Sequence, residues 1–288
     1  MTQQIDTANH AEHAEHAAEE RDDDAEIVVS ASDLSLAYPS SDEVVVSCET
    51  LRIPNGEVTA LIGPNGSGKS TLLKALSDHL HPREGTVRVD GRTVREYDQK
   101  EFARTLGRLS QENESPGDLS VEDLVYHGRY PYRGFFDGVS DEDEAAVERA
   151  IDLAGVEHLR ESSVGDLSGG QKQLAWMAMV LAQDTDVLLL DEPTTFLDLN
   201  HQLQVMETVR RLNRERDITV IVVLHDIAQA ARHADHLMAL QDGEIFARGS
   251  PGEVVTESLL AEVFEVRAEV QYEPELRIHP QQSLTRPE

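Results

Sequence analysis

Val58-Thr59-Ala60-Leu61-Ile62 runs directly into Gly63-Pro64-Asn65-Gly66-Ser67-Gly68-Lys69-Ser70-Thr71. The first five residues form a short, largely apolar block, which reads as a buried strand. The glycines that follow let the backbone curl until successive N–H groups point inward at an anion. Beyond them, Leu72, Leu73, Leu76 and Leu80 recur at helical spacing, so a helix is expected from Ser70 to Leu80. Its N-terminus adds the positive end of a dipole. Lys69 places a cation on the β- and γ-phosphates of a nucleotide, and the Ser70 hydroxyl can ligate Mg²⁺. Strand, glycine loop and helix in this order are the context that the G-x-x-x-x-G-K-[ST] pattern requires.

Outward from this cradle the chain alternates strand and helix. Upstream, Ile27-Val28-Val29 and Val44-Val45-Val46 are β-branched strand signals, and Asn55-Gly56 marks a turn. Downstream, residues from about 112 to 165 carry no strong strand. They hold a loop around Ser115-Pro116-Gly117 and a helix start at Ser140 with Asp143. After Gly170 the alternation resumes: a helix to Gln183, a strand Val187 to Leu190, a helix from about Leu199 to Arg214, a strand Ile218 to Leu224. The expected fold is α/β: a mostly parallel sheet with helices on both faces, antiparallel N-terminal strands, and an inserted helical subdomain at about residues 112–168. A short strand through Val270 is expected to finish the fold.

Val187-Leu188-Leu189-Leu190-Asp191-Glu192-Pro193 is an apolar strand ending in two carboxylates. The carboxyl end of such a strand is where an open α/β sheet binds its ligand. Asp191 is the expected Mg²⁺ partner. Glu192 is then placed to polarise an attacking water as general base. Pro193 stops the strand.

Asp and Glu number 55 against 25 Lys and Arg, a formal net charge of -30. The lysines are Lys69, Lys74, Lys100 and Lys172. This balance speaks against nucleic acid as a partner and against direct adhesion to an anionic membrane. Such a chain repels itself unless salt screens it, since the Debye length falls to ~3 Å at 1 M, so a salt-loving source is expected. Cys48 is the sole cysteine, which rules out an intrachain disulfide and fits a reducing cytosol. No signal peptide and no run of ~18 apolar residues is visible. Residues 1–26 read as a disordered acidic tail, in which His10, His13 and His16 are solvated rather than metal-bound.

Leu167-Ser168-Gly169-Gly170-Gln171, lying between the cradle and the acidic strand, resembles the signature of ABC ATPases. The resemblance covers about residues 27–265, leaving 266–288 as a C-terminal extension. It implies a P-loop NTPase core that hydrolyses Mg-ATP. It places Tyr38 where the family stacks an aromatic on adenine. It makes Gln111 the residue that touches Mg²⁺ and senses the γ-phosphate, and His225 the switch histidine. Gly63 to Thr71 form the nucleotide-binding segment. Asp198 resembles the loop that crosses a dimer interface, although Phe196 departs from the commoner Ser-Ala-Leu-Asp pattern. Gly169-Gly170 opens a second helix able to face phosphate. In this family it comes from a second copy of the chain, so Ser168, Gly169, Gly170 and Gln171 are expected to complete the partner's site.

Val121 to Tyr132, Thr194 to Leu199 and Leu224 to Ala231 resemble importer ATPases that serve iron-siderophore, haem and cobalamin permeases. The implied partners are transmembrane permease subunits and, indirectly, an external substrate-binding protein, with the chain at the cytoplasmic face of the membrane. Residues near Gln111 to Tyr132 are expected to form the groove for a permease helix. Leu124, Tyr126, Tyr130 and Tyr132 are its anchors, with Arg129 beside them. A non-transport ABC ATPase acting on DNA or ribosomes is the alternative. The absence of a basic face speaks against it.

Overall fold

The structure is a computed structural model that describes residues 26–111, 118–134, 138–195 and 197–284. The expectations for the acidic tail, its three histidines, the Ser115 to Gly117 loop and Phe196 fall outside these residues.

Three strands bring the cradle and the acidic strand together. β3 (Val58–Ile62), β8 (Thr219–Val223) and β7 (Val187–Asp191) lie side by side and parallel at the centre of a six-stranded sheet. β6 (Leu106–Leu109) closes one side, while β9 (His236–Gln241) and the antiparallel β10 (Glu244–Gly249) close the other. A second, antiparallel sheet has the order β2-β1-β4-β5, from Val46–Pro54, Ile27–Leu36, Glu84–Val89 and Arg92–Thr93.

The central strands read as continuous apolar runs because alternate residues feed two cores. Ala60, Ile62, Leu188, Leu190, Val220 and Val222 face one core. Leu61, Val187, Leu189, Ile221 and Val223 face the other. The second core is shared with the antiparallel sheet and with α1 (Lys69–Leu76), whose Leu72, Leu73 and Leu76 are fully buried. Each such side chain contributes about 1.5–3 kcal/mol by leaving water, so the helix behind the cradle is clamped between two sheets.

The first core is covered by α3 (Val121–His127), α4 (Asp141–Ala154), α5 (Gly169–Ala182) and α6 (Leu199–Arg216). α3 and α4 pack on α5. Ser140 and Asp143 form a reciprocal capping box at the start of α4, as their spacing suggested. Between the antiparallel strands and this layer, α2 (Gln99–Thr105) leads into β6. α7 (Ile227–His233), α8 (Pro251–Val254) and α9 (Glu257–Glu262) follow β8 and β10.

Several boundaries differ from the sequence reading. α1 ends at Leu76, not Leu80, because the Ser77 hydroxyl bonds back to the Leu73 carbonyl and Asp78 turns left-handed at φ 58°. β2 starts at Val46, with Val44 exposed. The strand through Val270 exists as β11 (Val266–Gln271), but it pairs with β12 (Arg277–Ser283) in a separate hairpin and adds nothing to the main sheet.

Candidate nucleotide site

The cradle needs glycine at two positions for different reasons. Gly63 has φ 147°, and a Cβ there would sit 2.2 Å from the Leu240 carbonyl oxygen. Gly68 has φ 99°, and a Cβ would meet Val46 Cγ2 at 2.5 Å. Both distances are below any real contact: at Gly63 a larger residue would have to move backbone, and at Gly68 it would have to displace the Val46 side chain in a conformation already strained for any other residue. Gly68 is also the cap residue of α1, which has no side-chain cap. The first N–H groups of this helix therefore face the loop, where an anion can satisfy them. Lys69 lies buried beneath it, its Nζ donating to the carbonyls of Gly63 and Pro64 at 2.8 Å each. Burial pushes its ammonium below the usual lysine range, against the pull of Glu192 and Asp191.

Ser70, one residue on, donates its hydroxyl to Asp191 Oδ1 at 2.8 Å. Asp191 is 2% exposed, and burial pushes its carboxyl above the usual range, although Ser70 and Arg108 pull it down. Arg108 stands 4.0 Å from Asp191 Oδ2, and among the described residues its Nε is a buried donor without a partner. The sequence reading passed over Arg108. A charged residue inside the apolar strand Leu106-Gly107-Arg108-Leu109 was the signal that marked it.

The next residue, Glu192, sits in the left-handed region at φ 52° and is 9% exposed. Its carboxylate gathers groups from three parts of the chain. Gln111, just past β6, donates from Nε2 to Oε2 at 2.7 Å. His225, just past β8, holds Nε2 at 2.6 Å from Oε1. Thr195 donates its hydroxyl to Oε2 at 3.1 Å. Gln111, Glu192 and His225 were expected to share a site, and the sheet brings them together at the carboxyl ends of adjacent strands. Thr195 was not foreseen as a site residue; it falls only within the Thr194 to Leu199 resemblance.

Tyr38, beyond the end of β1, reaches the same helix. Its hydroxyl lies 3.1 Å from Thr71 Oγ1 and accepts from Lys74 Nζ at 3.3 Å, with the ammonium 5.3 Å from the ring centroid. Burial pushes the phenol up, yet the bonds from Thr71 and Lys74 outweigh it and hold it below its usual value. The remaining candidates stand apart. Ser168 caps α5 in a reciprocal box with Gln171, and Ser168 and Gly169 are exposed. Gly170 leaves room for Leu197, whose Cδ2 would be 3.2 Å from an added Cβ. Asp198 caps α6, accepting from the backbone and ring of His201 at 2.9 Å each. Ser168, Gly169 and Asp198 are thus available to another chain.

Beside α3 lies a groove of about 910 Å³ lined by Leu119, Glu122, Tyr126, Tyr130, Arg133 and Val139 among others. Tyr126 and Tyr130 line it, and Tyr130 is 70% exposed. Three expectations need correction. Leu124 is buried in the core, because it sits on the face of α3 that packs on α5. Tyr132 donates its hydroxyl to the Asp184 carbonyl at 3.2 Å and covers the Arg129 guanidinium at 3.8 Å. Arg129 is 1% exposed and bonds Asp143 Oδ1 at 2.9 Å and the Ala182 carbonyl at 3.0 Å. It holds α3, α4 and α5 together and offers nothing to a docking helix.

Among the described residues no helix is long and apolar enough to cross a membrane. The sequence profile of the ABC transporter family matches residues 48–195. The ferric enterobactin transport ATP-binding protein FepC of Escherichia coli (strain K12) is 48% identical over 225 residues, covering 78% of this chain and 83% of that protein. The probable siderophore transport system ATP-binding protein YusV of Bacillus subtilis (strain 168) is 45% identical over 246 residues, covering 85% and 89%. Among solved structures, an ABC transporter in an inward-facing conformation superposes with TM-score 0.76 at 27% identity, over 89% of this chain and 98% of that one. With profile, relatives and fold in agreement, the chain belongs to the ABC transporter family and is one of its ATP-hydrolysing subunits.

Proposed function

We propose that this chain energises uptake of an iron–siderophore complex through a separate membrane permease, binding Mg-ATP between two copies of itself. The observation that carries the reading is the convergence of Gln111 and His225 on Glu192, one residue from the Ser70–Asp191 pair. That supports a reading of Glu192 as general base beside a metal site at the mouth of a phosphate cradle.

The donors at that site suit Mg²⁺. The described residues contain no group of three or more His, Cys, Asp or Glu able to hold a metal unaided. The Asp191 carboxylate, the Ser70 hydroxyl and the Gln111 amide are instead a sparse set with hard oxygens. Mg²⁺ is held in this way, through one or two protein oxygens, waters and substrate phosphates. When bound it neutralises charge on the β- and γ-phosphates. The chain supplies the rest. The 63–71 loop and Lys69 hold the phosphates, and Tyr38 stacks on the base. Glu192 takes a proton from water as the water oxygen bonds to the γ-phosphorus. The bond to the ADP oxygen breaks, and that oxygen keeps the electron pair. A positioned base of this kind is worth about 10²–10⁴-fold in rate.

Ser168 and Gly169 of the signature and the loop at Asp198 are exposed in the single chain, which supports a site completed by a second copy. ATP then favours the closed pair, and hydrolysis releases it. The groove at Tyr126 and Tyr130 supports docking of a permease helix, with an external binding protein delivering substrate to that permease. The cytoplasmic face of the membrane is the corresponding location. The names of the relatives support an iron–siderophore cargo; haem and cobalamin are the other cargoes that the sequence resemblance offers. The net charge of -30 supports a salt-rich cytoplasm. Glu192→Gln tests the assignment. Turnover should vanish while ATP binding persists and the paired state accumulates, as seen by size exclusion with ATP. Near-normal turnover in this variant would remove Glu192 as the base.

A further inference from the structure

We infer that Thr195 is a positioning residue that aims the Glu192 carboxylate during hydrolysis; the inference rests on Glu192 being the base. Two donors share Oε2 of Glu192: Gln111 Nε2 at 2.7 Å and Thr195 Oγ1 at 3.1 Å. Oε1 faces His225 at 2.6 Å. These three groups differ in how they are fixed. Gln111 and His225 arrive from the ends of β6 and β8, and in the proposed reaction both must turn toward metal, water or γ-phosphate. Each then gives up its hold on Glu192.

Thr195 is held differently. It sits three residues after Glu192 in one turn, whose closing bond runs from the Thr195 N–H to the Glu192 carbonyl at 3.2 Å. The same turn that forces Glu192 to φ 52° therefore sets the threonine hydroxyl against Oε2. The neighbouring Thr194 points elsewhere, donating to Gln229 Oε1 on α7 at 3.2 Å. Further along, Gln202 Nε2 pins the segment by donating to the Leu197 carbonyl at 3.1 Å. When Gln111 swings away, Thr195 keeps Oε2 engaged, which fixes the carboxylate plane and offers Oε1 to water. A carboxylate on a flexible glutamate arm without this tether would spend much of its time misaligned, and small misplacements at a reacting centre are costly.

The test compares Thr195→Val, which keeps the shape and removes the hydroxyl, with Thr195→Ser, which keeps the hydroxyl. Loss of a hydrogen bond to a charged group predicts a fall in kcat of about tenfold or more for Thr195→Val. KM for ATP should stay within about twofold, and Thr195→Ser should recover most of the rate. In a Glu192→Gln background, adding Thr195→Val should leave ATP affinity unmoved. A Thr195→Val enzyme that turns over within about twofold of the parent would overturn the inference. So would a Thr195→Ser enzyme as slow as the valine variant, which would point to packing instead. If Glu192→Gln is dead while Thr195→Val is normal, this inference alone fails. If Glu192→Gln still hydrolyses ATP, the base assignment fails with it.

Discussion

Replacing Arg129 with alanine would test how the helical layer is held. The guanidinium is 1% exposed and donates to Asp143 Oδ1 at 2.9 Å and to the Ala182 carbonyl at 3.0 Å, under the ring of Tyr132. Burial pushes the Asp143 carboxyl up, but bonds from Arg129 and Ser140 outweigh it and hold it below the usual carboxylate range. Removing the guanidinium leaves Asp143, itself 4% exposed, with the Ser140 bonds alone. Breaking a buried pair in this way costs about 3–5 kcal/mol. In a domain of this size each kcal/mol is worth roughly 2–4 °C, so Arg129→Ala should melt on the order of 10 °C lower. The sign with pH follows from the lowered folded pKa. The contribution of the pair is complete above the unfolded carboxylate value of about 3.9 and is lost as pH falls through the lowered folded value. Thermal melts of both proteins at neutral pH and on acidification are the assay, with the gap narrowing at the acid end. A variant melting within about 2 °C of the parent at neutral pH would refute the reasoning and return Arg129 to the surface role its sequence position suggested.

Tyr130→Ala should leave the melting temperature and basal ATP turnover near those of the parent, because the ring is 70% exposed. It should lower permease-coupled uptake in reconstituted vesicles; undiminished uptake would remove the groove as a docking site. Asp191→Asn should abolish Mg²⁺-dependent hydrolysis yet raise the melting temperature at neutral pH. Burial raises the Asp191 pKa, so its ionised form costs stability above that raised value and costs nothing below the unfolded one. An unchanged or lower melting temperature for Asp191→Asn would contradict this. Dialysis to about 0.1 M salt, where the Debye length is ~10 Å, should lower the melting temperature relative to molar salt. A melting temperature that did not respond would argue against a salt-dependent fold.

Much of the site was legible in the sequence because its parts are local. A glycine loop between a buried strand and a helix carries its own geometry, and Gly63 and Gly68 tolerate nothing larger. The acidic strand end placed Asp191 and Glu192, and the signature placed the cap at Ser168. The convergence of Gln111 and His225 on Glu192 was foreseen through family resemblance, since the residues are far apart in the chain.

The sequence by itself determined the cradle strand and its helix, the acidic strand, and the capped helix starts at Ser140 and Ser168, because hydrophobic period and capping chemistry act over a few residues. Tertiary structure alone decided that Arg129 locks three helices, that Leu124 and Tyr132 turn inward, that Arg108 faces Asp191, and that Thr195 reaches Glu192. Those outcomes depend on which neighbour the sheet and helices bring within bonding distance. Long-range packing fixes that arrangement.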